Sequence, residues 1–376
     1  GAANSITGAS VTYAGGGGAS NIAPSSGPIT SACGSAGGPG GGGDAGTWPG
    51  TDGANGTVNT GGGGGAATAN PTFSNTTGAG TGGAGVVILR SSTYLSTDSA
   101  CAPVSSPDGG TGTFIAKFKA SANVTMSAVP GISLDYLVVA GGGGGAHGCG
   151  IGGGGGAGGY RSSFPGGTKV FLDSGANHVV IGAGGAKGTA PGGGMTPGSD
   201  SFVGYITSTG GGAGHQASTA DDGGSGGGGG SNCGAGGAGN TPPVSSPIAP
   251  VQGYPGGNGA PYSVPLNQFA SGGGGGAAGG YRSSFPGGTK VFLDTGANYV
   301  TIGAAGTKGT SGGAAATAGG DSFVGYITST GGAQGRANLT GFDGGSGGGG
   351  GSNNGTGGVG NTPAVSSPIA PVQGYN

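Results

Sequence analysis

Three histidines, four cysteines and a scatter of aspartates are the side chains in this 376-residue chain best equipped for chemistry. His147, His178 and His215 would suggest proton transfer or metal ligation if two stood at a spacing such as His-x-x-x-His, and none do. A second copy of one stretch replaces His178 by Tyr299 and His215 by Arg336 with the framework intact, so the histidines read as solvent-exposed loop residues. Asp52, Asp173, Asp200, Asp221, Asp222, Asp294, Asp321 and Asp343 flank glycine turns, where capping of a backbone N–H is the ordinary role. The nonapeptide of calcium-binding β-helices is absent. PGGTK at residues 165–169 and 286–290 has Thr-Lys where a phosphate loop needs Gly-Lys-Thr, and GxGxxG matches arise by chance among 111 glycines. These patterns predict no catalytic residue, no metal site and no cofactor.

The repeat gives the cysteines more meaning. Residues 157–254 recur at 278–375 with a constant offset of 121 and 74 identities in 98 positions. At that offset Cys149 falls on Ala270 and Cys233 on Asn354, a joint loss of the kind a bonded pair shows. Pairing Cys149 with Cys233 leaves Cys33 with Cys101 by elimination and implies an oxidising, extracellular setting. Four free thiols fit the same sequence, because four cysteines allow three pairings. Sequons at Asn55, Asn75, Asn123, Asn338 and Asn354 are N-glycosylation candidates. Trp48 is a candidate surface-recognition residue: an exposed indole stacks on sugar, although a lone Trp also serves packing.

The elements that would hold these residues must be built mostly from glycine. Such composition ordinarily reads as linker, but only 22 of 376 residues are charged and the flanking words are β-branched and aromatic. Without a Cβ, extended helices of three residues per turn can pack side by side and exchange backbone hydrogen bonds. A lattice of neighbours must then satisfy every N–H and C=O, since an isolated glycine run has too much entropy to lose. The predicted fold is all-β and non-classical: short strands frame glycine-rich polyproline-II (polyglycine-II) segments in tandem repeats. Essentially no α-helix is expected, because glycine interrupts every helical window.

A net charge of −2 gives no footprint for nucleic acid. No apolar run nears the roughly 20 residues of a membrane span. With no initiating methionine and no leader, a soluble, processed protein is expected.

Along the chain, residues 1–91 end in a strand word at 86–89, residues 92–112 read as a linker or surface loop, and residues 113–156 open the next module. Phe114, Ala116 and Phe118 alternate with Ile115, Lys117 and Lys119, the pattern of a half-buried strand. Copy 1 (157–254), a glycine-rich connector (255–277) and a truncated copy 2 (278–376) follow. Further strands are expected at 169–172, 178–181 and 202–207, with partners at 290–293, 299–302 and 323–328.

LDYLVVAGGGGGA, GGGGGAGGYRSS, SITGASVTYAGGGG, NTGGGGGA and GVVILR together resemble the glycine-rich domain of tail-fibre and virion structural proteins of environmental bacteriophages and of bacterial surface proteins. In glycine-run composition the chain is also similar to adhesins at the tips of T-even-like long tail fibres, whose polyglycine-II bundles display variable loops. The family order puts the DYLVVA word first and the VVILR word last, whereas here the closing half occupies residues 1–91. That permutation implies either a stretch of a tandem array with an arbitrary frame or unpaired strand edges covered by another copy; the expectation is an open-ended, head-to-tail homopolymer with residues 1–14 of one subunit against 365–376 of the next. The resemblance implies a structural fibre subunit at an extracellular or virion surface, not an enzyme. The alternative is a receptor-binding adhesin contacting surface glycans through loops at 21–36, 44–60, 183–199 and 213–221. Ice binding is remote, because it demands a regular Gly-x-x period.

Overall fold

The structure, a computed structural model, describes residues 1–20, 34–47, 50–68, 78–97, 104–105, 112–126, 132–147, 152–189, 193–216, 218–230, 234–244 and 251–259 of a first unit, Gly1–Ala277. In a second unit, Ala278–Asn376, it describes residues 300–301, 318, 320–324 and 327–329. The described residues form strands and no helix.

The first unit holds β1 (Ala2–Asn4), β2 (Val11–Tyr13), β3 (Val86–Ser91), β4 (Ser96–Thr97), β5 (Val104–Ser105), β6 (Phe114–Phe118) and β7 (Ala122–Met126). It continues with β8 (Ile132–Val139), β9 (Tyr160–Ser162), β10 (Val170–Leu172), β11 (Gly175–Val180), β12 (Ser201–Val203) and β13 (Ile206–Ser208). The second holds β14 (Val300–Thr301), β15 (Ser322–Val324) and β16 (Ile327–Ser329).

Two antiparallel sheets of the first unit face each other. One runs β10–β8–β3–β6–β5, with β9 also paired to β8, and the other runs β13–β12–β11–β7–β4. Their shared core joins Val87, Leu89, Phe118, Leu134, Tyr136 and Val138 to Val124, Val179, Val203 and Ile206. The opposite face of the first sheet is covered as well: Ile6 and Tyr13, in and beside the β1–β2 hairpin, pack on Val86, Ile88, Ile115, Leu137 and Val139. Burial on both faces is why VVIL and LVV are unbroken apolar words. Each such side chain contributes about 1.5–3 kcal/mol by leaving water. It also corrects the half-buried reading of β6, since Ile115 is buried on the face assigned to solvent.

Three further expectations change. The strand read at 202–207 is two strands, because Gly204 takes a φ of 55° and turns the chain between Val203 and Ile206. The stretch 92–112 read as a linker contributes β4 to β7 and β5 to β6. The two words at opposite ends of the family module are adjacent strands, paired from Val86↔Val139 to Arg90↔Asp135. The permuted halves therefore complete one another within one chain, and these two strands have no open edge toward each other.

Strands pass directly into glycine runs. Residues 14–20 leave β2, 140–147 leave β8 and 209–215 leave β13, while 78–85 lead into β3 and 152–159 lead into β9.

Candidate functional site: a glycine lattice

Residues 140–147 show how the runs are held. The N–H groups of Ala140, Gly143 and Ala146 donate to Gly159, Gly156 and Gly153 of one neighbouring run. Those of Gly141 and Gly144 donate to Ser199 and Thr196, and those of Gly142 and Gly145 to Gly83 and Gly80. The carbonyls repeat the pattern: Gly141 and Gly144 accept from Gly211 and Gly214, Gly142 and Gly145 from Gly185 and Gly188, Gly143 and Ala146 from Gly64 and Ala67. All these bonds lie between 2.8 and 3.1 Å. A partner that changes with each residue and returns at every third is the signature of a helix with three residues per turn, bonded on six sides. Run 61–67 follows the same rule, with Gly63 and Ala66 donating to Gly15 and Gly18, and Gly64 and Ala67 to Gly143 and Ala146.

Glycine is required here for closeness. A Cβ at Gly143 would overlap the carbonyl oxygen of Gly212, one at Gly64 that of Gly80, and one at Gly155 that of Gly143. None of the three has a positive φ, so lack of space excludes a side chain, not backbone strain. Buried alanines, Ala66, Ala67, Ala140 and Ala146, occupy run ends.

The lattice margin is closed by side chains. Asp44 Oδ1 accepts from Gly37 N–H at 2.8 Å, Asp52 from Gly78 at 2.6 Å, Asp200 from Gly210 at 2.8 Å and Asp222 from Ala238 at 2.6 Å. The acids are thus backbone caps, but Asp52, Asp200 and Asp222 cap another run instead of their own turn. Asn55 does the same for Thr81 at 2.9 Å and Asn258 for Gly236 at 2.8 Å. Buried Gln252, unremarked in the sequence, accepts from Thr209 N–H at 2.9 Å and donates to Pro242 O at 3.0 Å. Only its place in VSSPIAPVQGY, repeated in both copies, signalled it.

The histidines do not share one environment, which corrects their reading as exposed loop residues. His147 is 2 % exposed and its Nδ1 has no hydrogen-bond partner among the described residues. Burial pushes its pKa down, against a smaller upward pull from Asp52. His178 is exposed but lies in β11, opposite Asn123 of β7. His215 bridges a short loop, with Nδ1 at 3.0 Å from Ser218 Oγ and Nε2 at 3.2 Å from Asp221 Oδ1. The hydrogen bond to Asp221 raises its pKa, against a smaller lowering by burial. Ser, His and Asp within six residues form a clip across one turn. In copy 2 all three change together, to Arg336, Leu339 and Phe342. Among the described residues no group of three metal-ligating side chains occurs.

Asn55 is exposed and Asn123 half-buried in β7. Asn75, Asn338, Asn354, Trp48 and the four cysteines Cys33, Cys101, Cys149 and Cys233 lie outside the described residues. Beside Trp48, Gly50 and Thr51 donate to Thr47 O at 3.0 and 2.9 Å. Of the stretches read as recognition loops, the described parts of 44–60, 183–199 and 213–221 are bonded into the lattice, as Gly185 to Gly142, Gly198 to Gly211, Gly214 to Gly144 and Gly53 to Gly78 show, while 21–33 lies outside the described residues. No helix among the described residues is long and apolar enough to cross a membrane.

Residues 119–299 match the family model of the glycine-rich domain, and the chain contains such a domain. No curated protein and no solved structure matches it.

Proposed function

We propose that the chain is a structural, non-catalytic module of an extracellular or virion surface fibre, with the sandwich as its base and the glycine lattice as a stiff projection. The observation that carries this reading is the six-sided bonding of residues 140–147, which commits a whole segment to rigidity and leaves no side chain for chemistry. Polymerisation through cut halves has lost its motive, because β3 and β8 already pair within the chain. A fibre role therefore rests on continuation beyond the lattice, not on repair of a broken sheet.

The adhesin reading is favoured by one observation. Runs alternate in direction: 140–147 pairs with 152–159 so that the bonded residues Ala140–Gly159, Gly143–Gly156 and Ala146–Gly153 run in opposite senses. The runs leaving β2, β8 and β13 lie parallel, through Gly63–Gly15 and Ala66–Gly18, Gly64–Gly143 and Ala67–Ala146, and Gly211–Gly141 and Gly214–Gly144, so their far ends at Ser20, His147 and His215 lie toward one end of the bundle, with the His215 clip there. Electron microscopy of the particle of origin, labelled with an antibody against the chain, tests both. Labelled fibre shafts support the structural module, labelled tips with saturable binding to cell-surface glycan support the adhesin, and label confined to the cell interior sinks both.

A further inference from the structure

At the lattice margin, pairs of an aspartate or asparagine with a following glycine recur with one division of labour: Asp52, Asn55, Asp222 and Asn258 are exposed, and Gly53, Gly56, Gly223 and Gly259 after them are buried. Such a pair can grip one residue of the neighbouring run by both of its backbone groups. Gly78 N–H donates to Asp52 Oδ1 at 2.6 Å, while Gly53 N–H donates to Gly78 O at 2.9 Å. Thr81 N–H donates to Asn55 Oδ1 at 2.9 Å, and Thr81 O accepts from Gly56 N–H at 2.8 Å. Ala238 is held likewise by Asp222 and Gly223, at 2.6 and 3.0 Å. At Asn258 the grip spreads over two residues: Gly236 N–H donates to Asn258 Oδ1 and Gly259 N–H to Gly234 O, both at 2.8 Å. Positions 52 and 55 are three apart, as are 78 and 81, so the first two clamps are successive turns of the same two runs.

The lattice demands both halves of each pair. A Cβ at Gly53, Gly56, Gly223 or Gly259 would overlap the carbonyl oxygen of Gly65, Gly62, Gly210 or Gly230, and the carboxylate or amide before it is what reaches the neighbour's N–H. Yet asparagine followed by glycine is the dipeptide most prone to attack itself, because no Cβ shields the second backbone nitrogen from the first side chain.

We propose that Asn55–Gly56 is a self-modification site, open to deamidation through a succinimide, which the clamp holds shut and opening of the lattice margin releases. The Gly56 nitrogen loses its proton and bonds to Asn55 Cγ, the Cγ–Nδ2 bond breaks, and Nδ2 leaves with that proton as ammonia. Water then opens the ring at either carbonyl, giving aspartate or isoaspartate. In the closed lattice the proton to be lost is donated to Thr81 O, and the carbon to be attacked is tethered through Oδ1 to Thr81 N–H. Reaction therefore waits on local opening, and its rate follows the open fraction. The two products differ in consequence. Aspartate at position 55 can accept from Thr81 N–H as Asp52 does from Gly78, so the margin recloses. Isoaspartate routes the main chain through Cγ, adds one carbon before Gly56 and takes its N–H away from Thr81 O, so the margin stays open. Asn258–Gly259 follows the same course, and Asp52 and Asp222 lose and regain water instead of ammonia. The inference holds for a shaft or a tip.

The test is peptide mapping by mass spectrometry, with isoaspartate separated from aspartate, after incubation in mildly alkaline buffer. The full chain is compared with a synthetic peptide of residues 51–60, TDGANGTVNT. We expect Asn55 to deamidate at least about tenfold more slowly in the chain than in the peptide. Thr81→Pro keeps the polyproline-II backbone angle but deletes the N–H that tethers Asn55, and should speed Asn55 while Asn258, clamped on Gly234 and Gly236, keeps its native rate. Equal rates in chain and peptide overturn the proposal without recourse to a variant. An Asn55 no faster in Thr81→Pro, or an equal rise at Asn55 and Asn258, overturns gating by the clamp.

Discussion

The sandwich and the lattice occupy one unit and follow opposite rules. In the sandwich the backbone pairs within sheets, and the layers meet through side chains such as Leu89, Tyr136 and Val179. In the lattice the layers meet through the backbone itself, and at positions such as Gly64, Gly143 and Gly155 a side chain is an obstruction. The lesson is that an apolar core is one way to exclude water around a hydrogen-bonded chain, and close-packed glycine is another.

The contrast sets an order of mutational effects, read from urea-unfolding midpoints. Leu89→Ala removes a side chain buried between two sheets and should cost the most, about 2–5 kcal/mol. Gly143→Ala adds one methyl against the Gly212 carbonyl and should cost about 1–3 kcal/mol. If this smallest of substitutions is silent, the lattice is looser than its hydrogen bonds imply. Gly193→Ala sharpens the point: no atom lies within 4 Å of the added carbon, so it should be neutral or stabilise by about 0.5 kcal/mol. Copy 2 already carries Ala314 there. Asp52→Ala leaves the Gly78 N–H to water at an exposed margin, for a loss of about 1 kcal/mol.

The smallest effect is a pH dependence at the His215 clip. Its folded-state pKa is raised above the ordinary 6.5 by Asp221, so its stabilisation is fully present below that value and fades as pH rises through the raised one. The midpoint difference between the native chain and Asp221→Asn should be larger at pH 5.5, below the ordinary histidine value, than at alkaline pH. An equal difference at both would show that the clip works through shape alone.

What the sequence made legible follows the same division. β3, β6, β8 and β10 were readable because β-branched and aromatic residues declare themselves. β1, β2 and β9 are three residues long, too short for a period to register, and none is wholly apolar as VFL of β10 is. Gly204 and Tyr205 passed as the interior of one strand, since nothing in the letters reveals a φ. Glycine runs announced a lattice but not its neighbours: Gly143 and Gly144 are the same letter, and only space assigns one to Gly156 and the other to Thr196. For that reason residues 183–199 and 213–221, which vary between copies, looked like free loops although much of each is bonded into the bundle.

The three-residue return of partners along 140–147 makes each run a screw with three settings. One extra glycine rotates everything beyond it by about a third of a turn, which points each later N–H at the wrong neighbour. Three extra glycines restore the orientation and merely lengthen the thread. A bundle of this kind keeps a reading frame in its protein, with length adjustable by triplets and intolerant of anything else.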